Sequence, residues 1–173
     1  MQKPGVLKIG LLINPIAGMG GKVGLHGTDD SLAERAKELG AKSISTERAA
    51  RAIKALLPQV EKISFYVSSK TMGADLLQSF NIDCQTIYET GSRETSSEDT
   101  KAAALAFQEH GVDLILFAGG DGTARDIFSV VGESIPILGI PAGVKMRSGV
   151  FANYPEEAAE IVLDAIASIE SGK

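Results

Sequence analysis

The sequence predicts a doubly wound α/β fold, a mainly parallel sheet with helices on both faces. Three observations lead there. Five short β-rich runs alternate with helical patterns along the chain. One run, Leu114-Ile115-Leu116-Phe117-Ala118, is apolar at every position, as suits a parallel strand covered on both faces. Three of the runs are followed by loops that contain glycine, the usual punctuation of a strand entering a crossover. The 173 residues, 44% apolar and 23% charged, fit one compact domain over 1–173, and exclude disorder and a disulfide mini-fold.

In chain order, the expected strands are Leu7 to Ile13, Ile63 to Val67, Gln85 to Tyr88, Val112 to Ala118 and Ile135 to Ile140, the fourth being central. A helix is expected from Thr46 to Leu57, just before Pro58, with Ala50, Ile53 and Leu57 inward and Arg48, Arg51 and Lys54 solvated. Thr95-Ser96-Ser97-Glu98 reads as a capping box that opens a helix through Ala102 to Phe107, and His110-Gly111 closes it. The last helix begins near Pro155 with Glu156 and Glu157 in its first turn. Its apolar stripe is Ala158, Ile161, Val162, Ala165, Ile166 and Ile169. Right-handed crossovers in such a sheet place ligands beyond the carboxyl ends of the strands.

The formal charge of −5 and the pI near 5.1 remove any electrostatic basis for binding nucleic acid or an anionic membrane, so phosphate must be held locally. A single cysteine, Cys84, forms neither an internal disulfide nor a multi-thiolate zinc site, and cytoplasm is the expected compartment. No run approaches the ~20 apolar residues of a membrane span. The first apolar run carries Lys8 and leads directly into Asn14-Pro15, unlike a signal peptide. With two histidines and one cysteine, neither a nucleophilic triad nor a zinc site has support, and no metal ligand set is expected.

Function is sought in the three glycine loops. The first runs from Asn14 through Gly18, Gly20, Gly21 and Lys22 to Gly24. The second is Gly119-Gly120-Asp121-Gly122-Thr123, and the third is Pro141-Ala142-Gly143-Val144-Lys145. Glycines let backbone N–H groups approach an oligophosphate, and a following helix adds its unpaired amides and positive dipole end. Asp121 is out of place in a simple anion cradle. It fits there as the holder of a metal ion or as the acceptor of a proton from a hydroxyl under phosphorylation, the competing role being a plain N-cap. Common nucleotide motifs fail in the first loop. Val23 stands where a Walker loop has Ser or Thr after Gly21-Lys22, and Ile16 where it has glycine; the same Val23 replaces the third glycine of the dinucleotide fingerprint after Gly18 and Gly20.

Taken together, these residues resemble the NAD kinase and diacylglycerol kinase superfamily, whose hallmark GGDGT stands at Gly119 to Thr123. Asn14-Pro15-Ile16-Ala17-Gly18 resembles the NPxxG loop of its lipid-kinase branch. With Gly27-Thr28-Asp29, Asp99-Thr100, Ala124-Arg125-Asp126 and Pro141 to Met146, the chain is most similar to the ATP-NAD kinase-like branch that includes the X protein of acetoin-catabolism operons. The resemblance implies a Rossmann-like nucleotide-binding domain and a kinase using ATP, or polyphosphate, with Mg²⁺, and NAD as acceptor. It implies phosphate contacts from Gly119, Gly120, Gly122 and Thr123, a phosphate loop shaped by Asn14, and Asp121 orienting or deprotonating the acceptor hydroxyl. Gly18, Gly20, Gly21, Gly143 and Lys145 join the nucleotide-binding set.

The resemblance also implies a β-rich C-terminal domain that helps form the acceptor site. That domain is expected to be absent from this chain, which leaves self-association or contact with the missing domain as the expected partnership. Val144-Lys145 departs from the Thr and polar pair of lipid kinases, and no asparagine-glutamate motif for NAD is found. Two further readings stand beside the kinase: a regulatory module that holds nucleotide or NAD without turnover, and a sugar or lipid kinase. Lys22, Lys145 and Arg147 are either phosphate-neutralising cations or solvated surface, and Arg125 either reaches phosphate or pairs with an acidic neighbour. His26 is either a substrate contact or an exposed loop residue, whereas His110 reads as a helix C-terminal cap.

Overall fold

The computed structural model describes residues 6–15, 44–90, 96–142 and 149–172. Strands β1 (Leu7–Ile13), β2 (Ile63–Ser68), β3 (Cys84–Tyr88), β4 (Leu114–Gly119) and β5 (Ile137–Pro141) form one sheet in the order β3-β2-β1-β4-β5. Every pairing is parallel. Each strand lies within two residues of its expected bounds. The middle place belongs to β1 rather than β4, although β4 is paired on both sides. Either strand is apolar enough for it. The order of the crossovers decides, because the chain winds outward from β1 to β2 and β3, then returns past β1 to lay down β4 and β5.

Helices α1 (Ile44–Leu56), α2 (Ala74–Ser79), α3 (Ser97–Glu109), α4 (Asp121–Val131) and α5 (Pro155–Glu170) divide between the faces. Successive strand side chains alternate, so Ile9, Leu11 and Ile13 of β1 join Phe65, Val67, Leu116 and Ile140 under α1, α2 and α5. Leu12, Ile115 and Phe117 face the other way, under Ala103, Ala104 and Phe107 of α3 and Ala124, Ile127 and Val131 of α4. On this second face Gly10 is required by packing, since a Cβ there would stand 2.7 Å from Phe107 Cγ.

Three local readings are corrected. The box at the start of α3 is Ser96 with Asp99, one residue later than expected: Ser96 Oγ accepts from the Asp99 amide, while the Asp99 carboxylate accepts from the Ser96 amide at 3.0 Å. Thr95 lies outside the described residues. In α1 the inward positions are Ala49, Ala52, Ile53 and Leu56, with Ala50 and Leu57 only partly covered. In α5, Ala158, Ala159, Val162 and Ile166 are buried, whereas Ile161 and Ile169 are 42% and 39% exposed. Ile161 lies at the edge of the stripe, and Ile169, though in line with Ala158 and Val162, falls in the last turn of the helix. The end of α3 follows expectation, with His110 Nδ1 2.8 Å from the Ala106 carbonyl and Gly111 at φ +66°.

Beyond residue 148 the chain returns along β5. The Gly139 amide donates to the Val150 carbonyl, and the Ala152 amide to that of Gly139, at 2.9 and 3.0 Å. Gly139 admits the Phe151 ring, whose Cδ1 would lie 2.4 Å from a Cβ there. No described helix is long and apolar enough to cross a membrane.

Candidate functional site at the strand switch

The direction of winding reverses between β1 and β4, so the loops leaving their carboxyl ends diverge and open a crevice. One side is Asn14-Pro15. The other is Gly120 and the first turn of α4. The two are tied at two levels. The Asn14 amide donates to the Ala118 carbonyl at 2.9 Å, which carries the parallel ladder one residue past Ile13. The Asn14 side chain donates from Nδ2 to Thr123 Oγ1 at 3.0 Å. Thr123 is only 4% exposed and folds back over Gly119, where a Cβ would come within 2.5 Å of Thr123 Oγ1. The same Gly119 accepts the Ala142 amide at 3.3 Å, so the end of β5 meets this point as well.

The three glycines of the second loop therefore differ. Gly119 is fixed by contact with Thr123. Gly120 and Gly122 have nothing within 4 Å of a Cβ among the described residues, and neither has a positive φ. Among the described residues nothing requires glycine at those two positions, and their bareness leaves the backbone at the start of α4 uncovered by side chains of its own. The first intrahelical bond of α4 runs from the Ala124 amide to the Gly120 carbonyl at 3.1 Å. The amides of Gly122 and Thr123 come before it, at the positive end of the helix dipole. Gly120 is the N-cap and has no side chain to cap with, and Asp121, half-buried, is the acidic residue of the first turn.

On the other side of α4, α3 is held to the same sheet edge by polar contacts. Tyr88 at the end of β3 donates its phenol proton to Asp99 Oδ1 at 2.7 Å, and Ser97 donates to Asp126 Oδ2 at 2.8 Å. The bond to Asp99, aided by burial, raises the Tyr88 pKa. Asp126 thus takes a hydroxyl from α3, and Arg125 is exposed. Neither Tyr88–Asp99 nor Asn14–Thr123 was legible beforehand. The second pair is separated by 109 positions and no local pattern links it.

Of the expected site residues, Asn14, Gly119, Gly120, Asp121, Gly122 and Thr123 converge at this crevice. Gly18, Gly20, Gly21, Gly143 and Lys145 lie outside the described residues, as do Lys22, His26 and Arg147. Among the described residues no group of three or more His, Cys, Asp or Glu could hold a metal ion. Cys84 sits at the far end of β3, where burial and then Asp83 push its thiol pKa up, the opposite of an activated nucleophile. A cavity of about 340 Å³ between Leu57, Val60, Ile63, Phe80 and Ile82 also lies at that amino edge, away from the crevice.

Comparison with known families agrees with this geometry. The sequence profile of the ATP-NAD kinase N-terminal domain matches residues 9–170, nearly the whole chain. The chain belongs to the ATP-NAD kinase N-terminal domain family. In this ATP-NAD kinase domain the match runs from β1 through α5 and so includes both sides of the crevice. No curated protein matches the chain. Among solved structures, a UDP-N-acetylglucosamine 2-epimerase superposes with a TM-score of 0.42 at 16% identity, covering 93% of this chain. The chain spans 40% of that structure's length.

Proposed function

We propose that this domain is the nucleotide-binding half of a kinase that transfers a phosphoryl group from ATP, or polyphosphate, to a hydroxyl of a small molecule, with NAD as the acceptor the family implies. The observation that carries the reading is the opening of α4 at the strand switch. Bare Gly120 and Gly122 flank Asp121 where helix amides and dipole are available to phosphate. The donor's phosphates would lie against the amides of Gly122 and Thr123, and the open space over Gly120 and Gly122 is the cradle that such a group needs. The acceptor hydroxyl would approach Asp121, whose carboxylate orients it and takes its proton as the oxygen attacks the terminal phosphorus. The leaving oxygen stays with the shortened donor. Positioning and charge neutralisation carry the rate, with no covalent enzyme intermediate.

A single carboxylate at the crevice also fits Mg²⁺, which commonly takes one or two protein carboxylates and completes its shell with phosphate oxygens and water. Bound there by Asp121, the ion would neutralise charge on the transferring phosphoryl group. The finer placement, in the branch that includes the X protein of acetoin-catabolism operons, is supported by Asn14-Pro15, Asp99-Thr100 and Gly119 to Asp126. The acceptor half is assigned to a β-rich domain of the kind the family carries, and the compartment to the cytoplasm. Phe128 and Leu105, 54% and 47% exposed on the adjacent helices α4 and α3, offer apolar surface to that domain or to a second copy.

The test is calorimetry and phosphate transfer side by side. Residues 1–173 alone should bind adenine nucleotide or NAD(H) weakly and turn over little. The polypeptide that also carries a β-rich domain should phosphorylate a hydroxyl acceptor from radiolabelled ATP or polyphosphate. Tight binding with no transfer in any combination would make the domain a regulatory module, and selective transfer to a sugar or lipid would replace NAD as acceptor.

A further inference from the structure

We infer that Asn14 and Thr123 are a positioning pair that sets the rotation of α4, and so the direction of Asp121, against the end of β1. The inference rests on the kinase reading above and assigns the two side chains no contact with substrate. Thr123 is buried at 4% exposure, and its hydroxyl accepts the Asn14 amide at 3.0 Å. That bond joins the segments that diverge beyond β1 and β4 and so make the crevice. Behind Thr123 there is no slack, because Gly119 could not bear even a methyl group without striking it at 2.5 Å. In front, the Asn14 backbone is pinned to Ala118 at 2.9 Å. Thr123 is therefore held between the Gly119 backbone and the Asn14 amide.

The geometry of a helix converts this hold into aim. Residues two apart on an α-helix differ by about 200° around its axis, so Thr123 facing the sheet turns Asp121 away from it. Gly120 and Gly122 bring no side chain to the turn, and among residues 121–123 Thr123 is the buried one. A small rotation of the turn would move the Asp121 carboxylate relative to a hydroxyl at the crevice while leaving the helix amides on the phosphates nearly where they were. Misplacement of about 1 Å costs a rate near 10²-fold. The pair should therefore act on turnover far more than on nucleotide affinity.

The test uses Thr123→Val, which keeps the shape and removes the hydroxyl, Thr123→Ser, which restores it, Asn14→Ala, and the double variant. All are made in the full polypeptide carrying this domain and assayed with Mg-ATP. Thr123→Val and Asn14→Ala should each lower kcat by about 10- to 100-fold with KM for ATP within threefold of wild type. Thr123→Ser should recover most of the loss, and the double variant should lose no more than about threefold beyond the worse single, as one broken contact predicts. In parallel, amide exchange of residues 122–126 should quicken equally in both singles and in the double variant.

Additive losses in exchange and in kcat, or a loss confined to KM, would overturn the positioning pair. A variant that unfolds is judged by Thr123→Ser and by activity per folded molecule. If wild type transfers no phosphate to any acceptor, the kinase reading fails. The pair is then judged by the exchange cycle alone, where additivity overturns the clamp.

Discussion

The two helical layers hold to the sheet by different means. Helices α1 and α5 lie over a continuous apolar face and are joined to each other at the rim by charge, Arg51 gripping Glu156 through two bonds of 2.7 and 2.8 Å. Lys62 and Glu170 add a second ion pair at the other end of α5. Helices α3 and α4 also bury apolar side chains, but hydroxyls and carboxylates tie them at the carboxyl edge: Tyr88 to Asp99, Ser97 to Asp126, and Asn14 to Thr123. Apolar burial is strong and non-directional, whereas a hydrogen bond contributes little net stability and fixes an angle. The first layer holds the sheet together, and the second aims what the sheet presents.

If so, the layers should fail differently. The largest effect is expected at Asp121, where Asp121→Asn keeps shape and removes basicity. Transfer should fall by roughly 10² to 10⁴ while Tm stays level and nucleotide affinity is unchanged or slightly improved. A variant that instead lost stability and kept its activity per folded molecule would make Asp121 a cap. Next comes the other layer. Ile53→Ala in α1 should cost about 2–5 kcal/mol of stability, by denaturant titration, with turnover per folded molecule intact. Loss of turnover there would erase the distinction between the layers.

Adjacent glycines sharpen it further. Gly119→Ala should destabilise by about 1–3 kcal/mol, because Thr123 must move, and should disturb turnover with it. Gly120→Ala meets no atom of the described residues and has an ordinary φ of −108°, so stability should hold or rise by about 0.4–1 kcal/mol while calorimetry shows weaker nucleotide binding. Equal stabilities for the two variants would refute the contrast drawn at this loop.

The smallest effects are those of pH. The Arg51 bond holds the Glu156 carboxyl below its ordinary value of 4.5, so its contribution is present above about that pH and is lost as pH falls through the folded pKa. Tyr88 runs the other way. Its raised pKa makes the Asp99 bond fully effective below 10 and weaker as pH climbs beyond it. Glu156→Gln should flatten the acid limb of the Tm profile slightly, and Tyr88→Phe the alkaline one. Both ion-paired side chains in the first case are about half exposed, so added salt should remove much of that difference.

Much of this was legible in the sequence, for physical reasons that also explain the rest. Strands announced themselves because Leu7 to Ile13 and Leu114 to Ala118 must be apolar to sit beneath helices, and the glycine loop at 119–122 because few other residues let a helix amide be approached. The box at Ser96–Asp99 was displaced by one residue because both Thr95 with Glu98 and Ser96 with Asp99 satisfy the same four-residue pattern. Ile161 and Ile169 are expected inside because a helical period gives the angle of a stripe but neither the width nor the length of the surface beneath it. Tyr88 with Asp99 and Asn14 with Thr123 are tertiary meetings. Their partners become neighbours only after the sheet has ordered its strands.

The return of residues 150–152 along β5 bears on how the molecule keeps from aggregating. An outermost strand offers a row of unpaired amides and carbonyls, a ready template for another chain. Here the protein occupies part of that row itself, and it does so at Gly139, the residue of β5 bare enough for the Phe151 ring to come close and meet Phe117 edge-on at a centroid distance of 5.4 Å. Even a methyl group at that position would lift the ring, and with it the segment that blocks the edge. The glycine thus guards a sheet edge as well as packing a ring.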